Sequence, residues 1–188
     1  MSRTAVILVV LLAVAARASG AETAGVSAPT APAAASFAKQ GLVLTDLAGN
    51  QTALDSLLAK GPVVLNFWAT WCGPCRTEMP YLSKVYNELG PKGVGFAAVS
   101  LDRGLSREVL EKFVKGRGFV LPLYRDDSGA LARKFGVAAI PTTVLLKPSG
   151  EVAHLARGFR PGDEVLLRKK IEEVVAAVAA GAVSQHKN

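Results

Sequence analysis

The chain has 188 residues, a length that suggests one domain with additional segments, and half of the residues are hydrophobic, which is enough for a sizeable core. The formal net charge is +7, but the basic residues are scattered and Arg168-Lys169-Lys170 is the only basic triplet. Without a basic run interleaved with aromatic residues, no nucleic-acid partner is predicted. Two cysteines and two histidines in unrelated contexts do not supply the four ligands of a structural zinc site, so no metal is expected.

The N-terminus has the pattern of a secretory signal peptide. Arg3 precedes an apolar run from Ala5 to Ala16, and Ala16-Arg17-Ala18 is a small-x-small cleavage site. An uncleaved membrane anchor is the alternative, but the run is shorter than the roughly 20 residues that cross a bilayer. We therefore expect a signal peptide over residues 1–18 and an exported, periplasmic protein.

Three further regions follow the signal peptide. Residues 19–36 are rich in alanine, proline, threonine and serine, which is typical of a disordered linker. The folded domain is expected over residues 37–180, with a flexible tail over residues 181–188. At the start of the domain the pattern predicts a strand at Leu42–Leu44, a turn at Ala48–Asn50 and a helix over Ala53–Lys60.

Both cysteines lie in the stretch VVLNFWATWCGPCRTEMP, residues 63–80. Val63–Trp68 consists mostly of β-branched, aromatic or aliphatic residues, which predicts a buried strand. Arg76–Leu89 has apolar residues at helical spacing, which predicts a helix. The strand runs into the helix, so Cys72 is placed at the helix N-terminus. Pro74 is tolerated there because a first-turn N–H has no intrahelical partner.

This position of the cysteines predicts disulfide exchange. Unpaired N–H groups and the helix dipole stabilise a thiolate at Cys72, which would attack a substrate disulfide. Cys75 lies about one turn deeper in the helix and would resolve the mixed disulfide. A purely structural disulfide is the alternative, but closing so short a loop removes little chain entropy.

The second half of the chain alternates predicted strands and helices. In order, these are a strand at Val94–Leu101, a helix from the N-cap Ser106 to Lys115, a strand at Leu121–Tyr124, a helix capped by Asp127 or Ser128 and ending at Phe135, a strand at residues 139–146, a turn at Lys147–Glu151, a strand at Val152–Ala156 and a helix over Asp163–Ala180. The apolar residues of the last helix that are available to cover the sheet are Val165, Leu166, Ile171, Val174, Val175 and Val178.

The pentapeptide WCGPC at residues 71–75 resembles the thioredoxin active site. Asn66 stands where thioredoxins carry a buried aspartate. Glu78 and Pro80 follow Cys75 after three and five residues. This pattern is similar to the TlpA/ResA branch of exported thiol–disulfide oxidoreductases, over about residues 37–159. The resemblance implies a thioredoxin-like α/β fold without a cofactor. In that fold a central mixed sheet is flanked by helices and carries an N-terminal extension and a central insertion.

The resemblance also implies roles for individual residues. Ile140-Pro141 is expected to be a cis peptide facing the cysteines, although the residues alone fit a trans bond equally well. Glu78 is expected to handle protons at the cysteine pair, and the alternative is an ordinary surface pair with Lys84 or Arg76. Contacts with the substrate are expected from Trp71, Gly73, Pro74, Ile140 and Pro141.

Three functions are compatible with these features. The first is a monomeric reductase that takes electrons from a membrane thiol-reductant donor and delivers them to disulfides of exported proteins, such as apocytochromes c or a copper-assembly protein. The second is an oxidase that donates disulfides, although Gly-Pro between the cysteines resembles reducing members of the superfamily. The third is a non-enzymatic binding module, which would need a damaged site. A peroxiredoxin is not favoured, because Ala69 stands where its threonine would precede Cys72.

Overall fold

The computed structural model describes residues 36–185, with side chains described as far as residue 180. The predicted signal peptide, the predicted linker apart from Ser36 and the last three residues of the predicted tail lie outside the described residues. Within the described part of the chain, no helix has both the length and the apolar character needed to span a bilayer.

Seven strands form one mixed sheet in the order β2-β1-β5-β4-β3-β6-β7. The central strands β3, β4 and β5 run parallel, whereas β6 is antiparallel to β3 and β7 is antiparallel to β6. This confirms the predicted central mixed sheet. The strands are β1 (Val43–Asp46), β2 (Gln51–Ala53), β3 (Val63–Trp68), β4 (Gly95–Ser100), β5 (Leu123–Arg125), β6 (Thr142–Leu146) and β7 (Val152–Arg157).

Within residues 36–185, four α-helices and one 3₁₀ turn, Gly90–Lys92, lie between strands, and a fifth α-helix follows the last strand. Every residue of β3 is buried, because helices cover both faces of the sheet at its centre. Val64 and Trp68 pack toward α2 and α5, whereas Leu65 and Phe67 belong to the core on the other face. The helices are α1 (Leu54–Leu58), α2 (Gly73–Leu89), α3 (Arg107–Lys115), α4 (Ala130–Lys134) and α5 (Asp163–Gln185).

Some predicted elements are shifted or were missed. Strand β2 was not predicted, because only its antiparallel pairing with β1 identifies three residues as a strand. The predicted N-cap position of α4 at Asp127 or Ser128 is wrong, since Gly129 occupies the N-cap in a left-handed conformation at φ 69°. The Ser128 hydroxyl accepts a hydrogen bond from the Ala130 N–H at 3.2 Å, and the Asp126 carboxylate accepts one from the Ala132 N–H at 2.7 Å, so both side chains cap the first turn.

The last helix differs from its prediction in length and in its buried face. It continues to Gln185, five residues beyond the predicted end at Ala180. Val165, Leu166 and Val178 are exposed, whereas Leu167 and Ile171 are buried against the sheet. Because apolar residues lie all around this helix, the sequence alone does not identify the buried face.

Candidate active site

The two cysteines lie where β3 passes into α2. Cys72 is the N-cap residue of α2, and its Sγ accepts a hydrogen bond from the Cys75 N–H at 3.2 Å. The two residues form a disulfide with a Cα–Cα distance of 5.3 Å. Cys75 is fully buried and Cys72 is 4% exposed. The predicted placement of Cys72 at the helix N-terminus and of Cys75 deeper inside is therefore confirmed.

Glu78 is buried one turn beyond Cys75 and is held by two polar side chains from the sheet. Asn66 on β3 donates a hydrogen bond through Nδ2 to Glu78 Oε2, and the Thr143 hydroxyl on β6 donates to Oε1, both at 2.9 Å. The surface pair with Lys84 or Arg76 is therefore excluded.

Burial raises the pKa of Glu78 from 4.5 to about 7, because the carboxylate loses its hydration. The hydrogen bonds from Thr143 and Asn66 act in the opposite direction, and the negative charge of Asp163 adds a further increase in the pKa. Desolvation dominates, so the side chain exchanges a proton near neutral pH. A carboxyl group with such a pKa is suited to general acid–base work.

Glu78 also lines a cavity of about 190 Å³ between α2, β7 and the start of α5. The cavity is shared with Thr143, His154, Phe159 and Asp163. Its volume is sufficient for several water molecules at about 30 Å³ each. Water in this cavity could carry protons to the buried carboxylate.

The turn between β3 and the cysteines is fixed by Asp102, a buried residue that follows β4. Its carboxylate accepts hydrogen bonds from the Thr70 N–H at 2.9 Å and the Thr70 hydroxyl at 2.7 Å. Ser100 Oγ donates a third hydrogen bond at 2.8 Å. Because these bonds satisfy the buried charge, they hold the chain immediately before Trp71 and Cys72 in one position.

The two tryptophans near the cysteines occupy different environments. Trp68 is 1% exposed and packs against the Phe113 ring at a centroid distance of 6.0 Å. Trp71 is 69% exposed, so it presents an apolar face to solvent beside Cys72. Of the two residues between the cysteines, Pro74 is exposed and Gly73 is half-buried.

The Ile140-Pro141 peptide bond is cis, as predicted. Pro141 is buried and Ile140 is half-buried. Strand β6 begins at the next residue, and Thr142 pairs with Phe67 near the end of β3. The cis peptide therefore lies at the end of the sheet where β3 leads to the cysteines.

Two polar residues of this site were not found from the sequence. Thr143 contacts Glu78 across 65 residues of chain, and Asp102 contacts Thr70 across 32. No local spacing connects such residues, since only the pairing of β6 and β4 with β3 brings them together. The one available signal was that Thr143 is a polar residue within a mostly apolar predicted strand and that Asp102 directly follows another.

The sequence matches the AhpC/TSA family over residues 33–155. A thiol-disulfide oxidoreductase ResA from Geobacillus kaustophilus is 35% identical over 163 residues, which cover 87% of this chain and 90% of the relative. ResA from Oceanobacillus iheyensis is 40% identical over 105 residues, 56% of this chain and 53% of that relative, so this match spans about half of its length.

A solved structure supports the same assignment. A Chlorobium tepidum protein described as a thiol:disulfide interchange protein DsbE superposes with a TM-score of 0.64 at 30% identity, and the match covers 71% of this chain and 92% of that protein. The cysteine pair is intact, and the relatives are named as enzymes, which contradicts a non-enzymatic binding module. The chain therefore belongs to the AhpC/TSA family, among its thioredoxin-like thiol–disulfide oxidoreductases related to ResA.

Proposed function

We propose that the chain reduces disulfides of exported proteins, with Cys72 as the attacking residue and Cys75 as the resolving residue. The observation that carries this proposal is the Cys72–Cys75 disulfide at the N-terminus of α2, one helical turn before Glu78, a buried carboxyl group with a pKa of about 7. Apocytochromes c and copper-assembly proteins are the proposed kinds of substrate.

The reaction begins from the dithiol form, which a thiol reductant must supply by reducing the Cys72–Cys75 disulfide. The Cys72 thiolate attacks one sulfur of the substrate disulfide, and the other substrate sulfur leaves as a thiolate. Cys75 then gives its proton to the Glu78 carboxylate and attacks the Cys72 sulfur of the mixed disulfide. The second substrate sulfur leaves, so the substrate gains two electrons and the protein returns to the disulfide form.

The charges near the sulfurs support this direction of electron flow. A strong oxidant such as DsbA has a stabilised reduced form, which depends on a stabilised thiolate. Here the helix N-terminus stabilises the Cys72 thiolate, but an ionised Glu78 one turn from Cys75 disfavours a second negative charge. This raises the free energy of the reduced pair and favours electron donation.

The reduction potential tests this direction. We expect a value near that of thioredoxin, about −270 mV, and not near that of DsbA, about −120 mV. The measurement equilibrates the protein with glutathione or dithiothreitol buffers and determines the fraction of disulfide by mass spectrometry. The reduced protein should also transfer its electrons to a disulfide between two cysteines of an unfolded protein. A potential near that of DsbA, with net donation of disulfides, would establish the oxidase instead.

Export is supported by the N-terminal pattern, with the cleavage site after Ala18. Cleavage there removes two arginines from the chain. The expected mature protein therefore starts at Ser19 and is recovered from the periplasmic fraction of its native host. Intact-mass measurement of that protein checks the site. A full-length chain recovered from the membrane fraction would show that the N-terminus is an anchor.

The monomeric state and the membrane thiol-reductant that would supply electrons stay predictions. Light scattering of the purified protein tests the first. Disulfide-linked complexes of the Cys75→Ser protein in native membranes test the second, since the donor must form a mixed disulfide with Cys72.

A further inference from the structure

Arg76 places a positive charge directly beside the cysteines. It lies in the first turn of α2, and its Nη1 donates a hydrogen bond to the Thr70 carbonyl at 3.1 Å. Its Nη2 lies 4.0 Å from the point that a Cβ on Gly73 would occupy. The guanidinium group therefore bridges the chain on both sides of Cys72, and its side chain is exposed to solvent.

A second arginine follows on the neighbouring loop. Asp102, which binds Thr70, is buried, and the next residue, Arg103, is exposed. Arg103 Nη2 lies 3.6 Å from the point that a Cβ on Gly129 would occupy. Arg133 Nη1 lies 3.2 Å from the same point and donates to the Ser128 carbonyl at 2.9 Å. Two guanidinium groups thus converge at Gly129, next to the loop that supports the cysteines.

The carboxylates at this end of the sheet form no ion pair with these three arginines. Asp102 is bound to Thr70 and Ser100, and Asp126 caps α4. Asp127 pairs with Arg125 at 2.8 Å. Within residues 36–180, Arg76, Arg103 and Arg133 have no carboxylate oxygen within 4.0 Å. We call Arg76, Arg103 and Arg133 the arginine row, in which Arg76 is the member beside Cys72.

We propose that the arginine row selects protein substrates whose disulfide is flanked by aspartate or glutamate residues. Exposed guanidinium groups without a paired carboxylate attract an anionic partner, increase the rate of encounter and discriminate against a basic partner. Arg76, one member of the row, lies between Thr70 and Gly73. An acidic substrate segment that binds along the row would therefore place the substrate disulfide near Cys72. The proposal rests on the proposed reductase function and adds the class of substrate.

The test compares three cyclic disulfide peptides that differ only in their flanking residues, which are acidic, neutral or basic. The reduced mature protein is mixed with each peptide, and the second-order rate constant is measured at low and high salt. We expect the acidic peptide to react about tenfold faster than the basic peptide at low salt. The ratio should approach one at about 1 M salt, where charges are screened beyond about 3 Å.

The charge-reversed double variant Arg103→Glu/Arg133→Glu provides the decisive comparison. Its ratio of acidic to basic rate constants should fall to one or below. Comparing the ratio within each protein cancels any general change in reactivity. The matched control is Lys60→Glu/Lys92→Glu, because these two exposed lysines lie at the opposite end of the sheet from Cys72. The control should keep the wild-type ratio.

The outcomes separate this proposal from the proposed function. Equal rates for acidic and basic peptides at low salt, or an unchanged ratio in the double variant, would overturn the selection of acidic substrates while the reductase function stands. Binding to anionic lipid vesicles, combined with equal peptide rates, would show that the row contacts membranes and would also overturn the proposal. No reaction with the neutral peptide would contradict the reductase function itself.

Discussion

We expect Cys72→Ser to abolish disulfide exchange, whereas Cys75→Ser should retain the first half of the reaction and accumulate a mixed disulfide with the substrate. The reason is the different position of the two sulfurs. Cys72 caps α2, where the helix N-terminus stabilises its thiolate, and Cys75 is fully buried one turn deeper. Removal of the attacking sulfur should lower the rate at least about 1,000-fold, as expected for loss of a covalent nucleophile.

The measurement is mass spectrometry of the adducts that each variant forms with an oxidised protein substrate. In Cys75→Ser, the linkage should be through Cys72 and should persist, because no resolving thiol remains. In Cys72→Ser, few adducts should form. Reduced wild-type protein is the control, since it also lacks the disulfide. The assigned roles would be reversed if Cys72→Ser accumulated persistent adducts through Cys75 while Cys75→Ser formed few adducts.

We expect the wild-type oxidised protein to lose stability as the pH rises from 4.5 to about 7, and Glu78→Gln should remove this pH dependence. The folded protein holds the Glu78 proton up to about pH 7, whereas an unfolded chain releases it near pH 4.5. Between these values the folded state binds more protons, so the free energy of unfolding falls as the pH rises. Each pH unit corresponds to about 1.4 kcal/mol, so the interval from 4.5 to about 7 gives a loss of about 3 kcal/mol.

Urea unfolding of the oxidised proteins at pH 4, 5.5 and 8 measures this effect. Glutamine keeps the shape of Glu78 and cannot ionise, so the difference in stability between wild type and variant should shift by about 3 kcal/mol in favour of the variant from pH 4 to pH 8. Glu172→Gln, an exposed substitution on α5, is the control and should follow the wild-type curve. Parallel curves for wild type and Glu78→Gln would contradict the raised pKa.

The same variant tests the proton-transfer role proposed for Glu78. Above pH 7 the wild-type carboxylate is ionised and can accept the Cys75 proton, whereas glutamine cannot. Release of the second substrate thiol should therefore slow by about 100-fold in Glu78→Gln, the usual contribution of a general base. Formation of the mixed disulfide by Cys72 should change much less. Equal slowing of both steps would indicate a disturbed fold and not a lost base.

The part of the site that depends on local pattern could be predicted from the sequence. An apolar strand followed by helical spacing fixes where β3 ends and α2 begins, and therefore where Cys72 lies. The cap of α3 at Ser106 is equally local, since Ser106 Oγ accepts from the Val109 N–H three residues later. Elements of this kind are determined by interactions within a few residues.

The part that depends on strand pairing could not be predicted. The burial of Glu78 results from the approach of β3, β6 and α2, and only that approach supplies Asn66 and Thr143 as its partners. The spacing of Glu78 from Cys75 predicts that the two residues are neighbours on the helix. It does not predict the environment of the carboxylate, and that environment determines the pKa of Glu78. The same limit applies to Asp102, whose contact with Thr70 follows from the parallel pairing of β4 with β3.

The contrast between Trp68 and Trp71 gives the protein two optical reporters with separate meanings. Trp68 is enclosed by the core, so its fluorescence follows unfolding of the domain. Trp71 is the solvent-facing indole beside Cys72, so its emission follows what approaches the cysteines. Trp71→Phe would leave a protein whose fluorescence reports unfolding, and Trp68→Phe would leave one whose fluorescence reports substrate binding, in both cases without an added label.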